Sequence, residues 1–120
     1  MKKVVLMFVL ALGVAVGPAA ALTSHSATPT LVGTVGPGFT ITLTQNGKAV
    51  KTLKRGAYTF VIHDKSSSHA FSLKGAGLPK ALTQVPFVGD KTATVTLKAG
   101  KYTYFCPPHQ SFMFGHFTVT

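Results

Sequence analysis

Apolar residues recur along this chain in short two-residue alternations, and no useful stretch sustains the 3.6-residue period of a helix. Residues 31–35 form an apolar run suited to a first strand. Phe39, Ile41 and Leu43 then alternate with threonines, the pattern of a strand with one face on a core. Asn46-Gly47 stands before the next run, residues 48–53. Such a pair predicts a two-residue hairpin, because both turn positions need positive φ. Residues 57–63 make a further strand rich in aromatic and β-branched side chains, and a polar loop at 64–68 separates it from a short strand at 69–74. Residues 75–90 hold Gly, Pro and little alternation, and read as a long connection with one helical turn. Ala93, Val95 and Leu97 face inward between outward threonines; a turn at 99–101 leads to a strand at 102–106, and residues 117–119 close the chain. Short strands separated by turn signals predict an all-β fold, an antiparallel Greek-key sandwich or barrel in a single domain.

The amino terminus follows a different rule. Lys2 and Lys3 precede an apolar run over residues 4–16, Gly17-Pro18 interrupts it, and Ala19, Ala20 and Ala21 supply the small residues of a cleavage site. Residues 1–21 read as a secretory signal, which places the mature protein in the periplasm or outside the cell. The run is short for a bilayer span, and no Cys follows it to carry a lipid anchor. Residues 22–38 are then a flexible lead-in with the first strand, and residues 39–120 the functional domain.

Composition removes whole classes of chemistry. Against twelve Lys and Arg the chain has two acidic residues, Asp64 and Asp90, so paired-carboxylate catalysis would have to use both. A single cysteine, Cys106, excludes an intramolecular disulfide, a four-cysteine zinc site and a thiolate-held iron–sulfur cluster. No Gly-x-Ser-x-Gly or His-Glu-x-x-His motif is present. The lysines are scattered in sequence rather than clustered in a nucleic-acid stripe, and export also argues against nucleic acid. Their excess suits either a solvated surface or steering toward an acidic partner or an anionic membrane.

Removing the signal leaves one methionine, Met113, seven positions from Cys106 and four from His109. A buried Cys or Met is ordinarily core filler. An exported free thiol, an adjacent imidazole and the one remaining thioether in a single loop call for more. Thiolate with imidazole suits copper or zinc, and the thioether favours copper. A selective site needs a second imidazole, and His25, His63, His69 and His116 are available. His25 lies in the lead-in, His63 on a strand suited to a surface role, and His116 beside the inward Phe117, so that it points outward.

Residues 102–119 resemble the ligand loop and last strand of the cupredoxins, the blue copper family of plastocyanin, pseudoazurin and amicyanin. Met113 followed by Gly115, Thr118 and Val119 matches that family's ending, and Ser68-His69-Ala70-Phe71 stands where the family has its His-Asn-Phe element. The resemblance implies His69, Cys106 and His109 as trigonal ligands of one type 1 copper ion, with Met113 as the weak axial ligand. It implies a one-electron carrier cycling between Cu(I) and Cu(II), not an enzyme, with redox proteins as partners, no small-molecule substrate, and a monomeric state. An exported copper-binding or delivery protein using the same ligands is the alternative. Pro107, Pro108, Phe112 and Phe114 surround His109 as an apolar contact patch, with at least one phenylalanine expected in the core. The Cys-x2-His-x3-Met spacing falls between those of plastocyanin and amicyanin, which gives this loop its own geometry. Ala70 replaces the usual Asn, leaving its backbone N–H to reach the Cys106 sulfur. Pro107 and Pro108 have no N–H to offer it.

Overall fold

The computed structural model describes residues 13–18 and 27–120; most of the signal-sequence reading and His25 lie outside the described residues. Residues 13–18 have no regular structure, and among the described residues no helix is long and apolar enough to cross a membrane. Ten strands follow: β1 (Thr30–Val35), β2 (Ile41–Gln45), β3 (Lys48–Ala49), β4 (Thr52–Leu53), β5 (Gly56–Asp64), β6 (Ser72–Gly75), β7 (Leu78–Ala81), β8 (Gly89–Leu97), β9 (Gly100–Phe105) and β10 (Phe114–Val119). They form two five-stranded sheets, ordered β3-β2-β1-β5-β8 and β4-β10-β9-β6-β7.

The predicted sandwich is present, with mixed sheets: β1 runs parallel to β5 and β4 parallel to β10, while the other ladders are antiparallel. The Asn-Gly hairpin joins β2 to β3, with φ of 51° at Asn46 and 77° at Gly47. The run after it is not one strand. The chain leaves the first sheet at Ala49, buries Val50, and joins the second sheet at Thr52, so two short strands stitch the layers together.

Alternation sets the core. On β5, Tyr58, Phe60, Ile62 and Asp64 point inward, opposite Val95 and Leu97 of β8 and facing Leu73, Tyr102, Phe117 and Val119 of the second sheet. Gly33 on β1 is buried, and an added Cβ there would lie 2.6 Å from Ile62 Cδ1 and 2.7 Å from the Phe71 ring. Its lack of a side chain makes room for that ring.

One five-residue pattern, Lys-x-Gly-x-Tyr, leads into both β5 and β9, as residues 54–58 and 98–102. In each, the tyrosine hydroxyl donates to the carbonyl oxygen of the lysine four residues earlier, at 2.6 Å for Tyr58 to Lys54 and 2.8 Å for Tyr102 to Lys98. The glycines sit at φ of 144° and 149°, backbone that favours glycine. These pins fix the strand entries at the end of the sandwich remote from the ligand loop.

Residues 75–90 depart from expectation. They contain β7, which pairs antiparallel with β6, and no helical turn. Propensity hid this edge strand, because Leu78–Ala81 includes Pro79, and proline in a strand is tolerated mainly at an edge. The 69–74 strand begins later than predicted, at Ser72, leaving residues 69–71 free to turn toward the other sheet.

Candidate metal centre

Register brings four loops to one end of the sandwich. Val35 pairs with both Ile41 and Asp64, Asp64 with Gly89, and Phe105 with both Ser72 and Phe114. Loops 36–40, 65–71, 82–88 and 106–113 therefore emerge together.

The 106–113 loop is tied shut by its own backbone. Cys106 N–H donates to the Met113 carbonyl at 3.0 Å, His109 N–H to Cys106 O at 3.0 Å, and Met113 N–H to His109 O at 2.8 Å. Pro107 and Pro108 open a 3₁₀ turn, Pro107–His109, at positions whose N–H groups would lack intrahelical partners. Two consecutive prolines thus stiffen the link between the cysteine and the histidine. Met113 is buried and returns the chain to the core beneath them.

His69 arrives from the other side of the site. Its N–H donates to Ser66 O at 3.2 Å, and Ser66 N–H donates to the buried carboxylate of Asp64, also at 3.2 Å. Phe71 N–H donates to Thr83 Oγ1 at 2.8 Å, while its carbonyl accepts from the N–H groups of Leu82 and Thr83. The 82–83 segment thereby clamps the residues next to His69. Thr83 carries no motif and was not legible from the sequence. Thr83→Val keeps the shape and strands the buried Phe71 N–H, so thermal or denaturant unfolding should show a loss of about 1–3 kcal/mol.

The side chains converge. His69 Nδ1 and His109 Nδ1 stand 3.1 Å apart, and each faces Cys106 Sγ, at 3.8 and 3.7 Å. His69 and Cys106 are buried, and His109 is half-buried. Ala70 N–H donates to the sulfur at 3.5 Å, as the family resemblance implies. A single ion at the usual ~2.0–2.1 Å from nitrogen and ~2.3 Å from sulfur can span all three separations, with ligand angles of roughly 100–120°. The donor set therefore fits one soft or borderline metal ion.

Among the described residues, the other two histidines stay apart. His63 Nδ1 lies 2.7 Å from Asp90 Oδ1 on the outer side of the first sheet, and His116 points outward with Nδ1 2.9 Å from Thr103 Oγ1. Both phenylalanines of the expected patch are exposed, so neither enters the core. Alternation along β10 turns Phe114 outward against His116, away from the loop tip. A residue missed by pattern takes its place. Phe39 lies before β2 rather than in it, is 65% exposed, and sets its ring edge-on to His69, His109 and Phe112 at centroid distances of 5.3, 5.1 and 5.6 Å. The glycines at 36 and 38 on either side of Pro37 were the available signal that the alternation had not yet begun.

Beneath the site Phe71 stacks on Tyr104, with centroids 5.8 Å apart and planes 7° apart. An added Cβ at Gly115 would run into the Tyr104 hydroxyl end, so this glycine admits the ring. Burial raises the Tyr104 pKa above the ordinary 10.0, offset in part by the Leu43 backbone amide.

The family model of copper binding proteins, plastocyanin/azurin family, matches residues 31–120. The chain belongs to that family. Among solved structures, this cupredoxin is similar to rusticyanin, with 22% identity over 80% of each chain and a TM-score of 0.53. It is similarly related to auracyanin A, a "blue" copper protein of the green thermophilic photosynthetic bacterium Chloroflexus aurantiacus. There the identity is 20%, covering 78% of this chain and all of that one, and the TM-score is 0.53. A Cu(I)-form amicyanin variant has 19% identity, 77% and 83% coverage, and a TM-score of 0.50. At these identities the likenesses establish the shared fold. No curated protein sequence matches the chain. The His69, Cys106 and His109 cluster, with Met113, fits the family's type 1 copper site.

Proposed function

We propose that this cupredoxin is an exported one-electron carrier in which His69, Cys106, His109 and Met113 hold a single copper ion. Copper bound there supplies a Cu(I)/Cu(II) couple. The observation that carries the reading is the graded exposure of the trio: two donors are buried and only His109 reaches the surface. A buried set resists exchange of its ion, whereas a delivery protein needs an open, exchangeable site. Met113 closing the set would leave no free position for substrate, so the chain acts as a carrier rather than an enzyme.

The protein's own contribution is rigidity. The backbone bonds within residues 106–113, the proline pair and the Thr83 clamp hold the donors in place, so little rearrangement accompanies a change of charge. Ala70 N–H stabilises the thiolate, and the prolines withhold further donors from it. Phe39 and Phe112, 65% and 57% exposed, flank the His109 edge and form the contact surface for a redox partner. The Lys2-Lys3 start, the apolar run and the alanines before residue 22 support export.

Electron self-exchange of the copper-loaded protein, read by NMR line broadening, tests this. Phe112→Ala should slow exchange by about tenfold, the cost of one lost interface anchor, with an unchanged visible spectrum. Unchanged exchange would remove Phe112 from the contact surface. Copper loss to a chelator faster than electron exchange would favour delivery instead.

A further inference from the structure

Half of the basic residues scattered along the sequence are gathered in space. Ten of the twelve basic side chains follow residue 47, and six of them, Lys48, Lys51, Lys54, Arg55, Lys98 and Lys101, lie at the end of the sandwich opposite the metal centre. Cross-strand pairs Gln45–Lys48, Gly56–Leu97 and Lys101–Thr118 put them on one blunt pole, and Thr118 N–H donates to Lys51 O. All six are exposed. Both acidic side chains of the chain, Asp64 and Asp90, stand at the other end, so nothing acidic from a side chain offsets this charge. Lys51, Lys101 and His116 line one open cleft of about 420 Å³, and Lys48 and Lys51 line its neighbour.

Apolar exposure has the opposite distribution. Within residues 27–120 the large exposed apolar side chains are Phe39, Val85, Phe87, Val88, Phe112 and Phe114, all toward the metal-centre end. The basic pole has none. Protein interfaces centre on buried aromatic and apolar anchors, which this pole lacks. Point-charge lysines spread over a blunt surface match a diffuse sheet of anionic headgroups instead. The chain preceding β1 also joins the sandwich here, since Thr59 N–H, near the start of β5, donates to Pro29 O.

We propose that the basic pole binds the surface of an anionic phospholipid bilayer, holding the Phe39 and Phe112 end away from the membrane. The pole and the metal centre are separate surfaces, so binding does not require copper.

Co-sedimentation of the mature protein, residues 22–120, with vesicles of phosphatidylcholine, with or without phosphatidylglycerol, tests the proposal. The protein should partition onto the phosphatidylglycerol vesicles preferentially, and the preference should fall as salt rises. Lys48→Gln, Lys51→Gln and Lys101→Gln together should weaken that partitioning by about a hundredfold. Lys65→Gln, Lys80→Gln and Lys91→Gln remove the same charge elsewhere and should change it by less than about threefold. Matched melting temperatures establish that both triple variants are folded. Equal losses in the two triples would mean that net charge alone acts, and would overturn the proposal. Equal retention on both vesicle types would show that binding does not depend on anionic headgroups and overturn it too. Indifference to vesicles with pole-dependent binding of poly-glutamate would make the pole a protein-facing surface, again against the proposal.

Discussion

Cys106→Ser is expected to give a folded protein that stays colourless with Cu(II), where the parent develops an intense thiolate-to-copper absorption. The sulfur is fully buried, and it is the only thiol in the chain, so no neighbour can substitute for it. A serine hydroxyl does not ionise near neutral pH and is a poor match for a soft ion. Copper affinity should fall by well over the roughly 10–100-fold that loss of a mere supporting hydrogen bond costs. The hydroxyl can still accept from Ala70 N–H, so the apoprotein should lose only about 1–2 kcal/mol. Visible and electron paramagnetic resonance spectra, with a denaturant curve, separate the two effects. Retained absorption in the variant would dismiss the ligand assignment.

Phe71→Ala is expected to have the largest effect on stability. The ring is fully buried between Gly33 of one sheet and Tyr104 of the other. Removing it costs about 3–5 kcal/mol, a large part of the roughly 5–15 kcal/mol that holds a domain together. The melting temperature should drop by more than about 12 °C. Because Phe71 follows Ala70 and is clamped by Thr83, the variant should also perturb the copper spectrum. Gly33→Ala should cost less in the Phe71→Ala background than alone, since the Phe71 ring is one of the two groups its Cβ would strike. Additive losses in that double-mutant cycle would show that the two residues do not share the space assigned to them.

The ligand loop was legible because its chemistry is contiguous: three candidate donors fall within eight residues, and their scarcity elsewhere makes the coincidence informative. His69 was not legible by spacing. It stands 37 residues before Cys106 and meets it only through pairing of β6 with β9, so resemblance to the cupredoxins had to supply it. Phe39 and Thr83 were missed for a related reason: each acts through a long-range contact, and neither type announces a function. The sandwich followed from period-two patterning, but parallel pairing of β1 with β5 leaves no local trace. The Lys-x-Gly-x-Tyr pins were present in the sequence, too short to stand out until the two hydroxyl contacts showed them to be the same device.

The contiguity of residues 106–113 also has a thermodynamic side. Cys106, His109 and Met113 remain neighbours along the backbone when the fold is lost, whereas His69 does not. A ligand stabilises a fold only by its preference for the native over the unfolded chain. An unfolded chain that keeps three of four proposed donors close together retains part of its chelating power. Copper should therefore raise the unfolding temperature by less than its affinity for the native site implies, and the shortfall measures how much of the site is local.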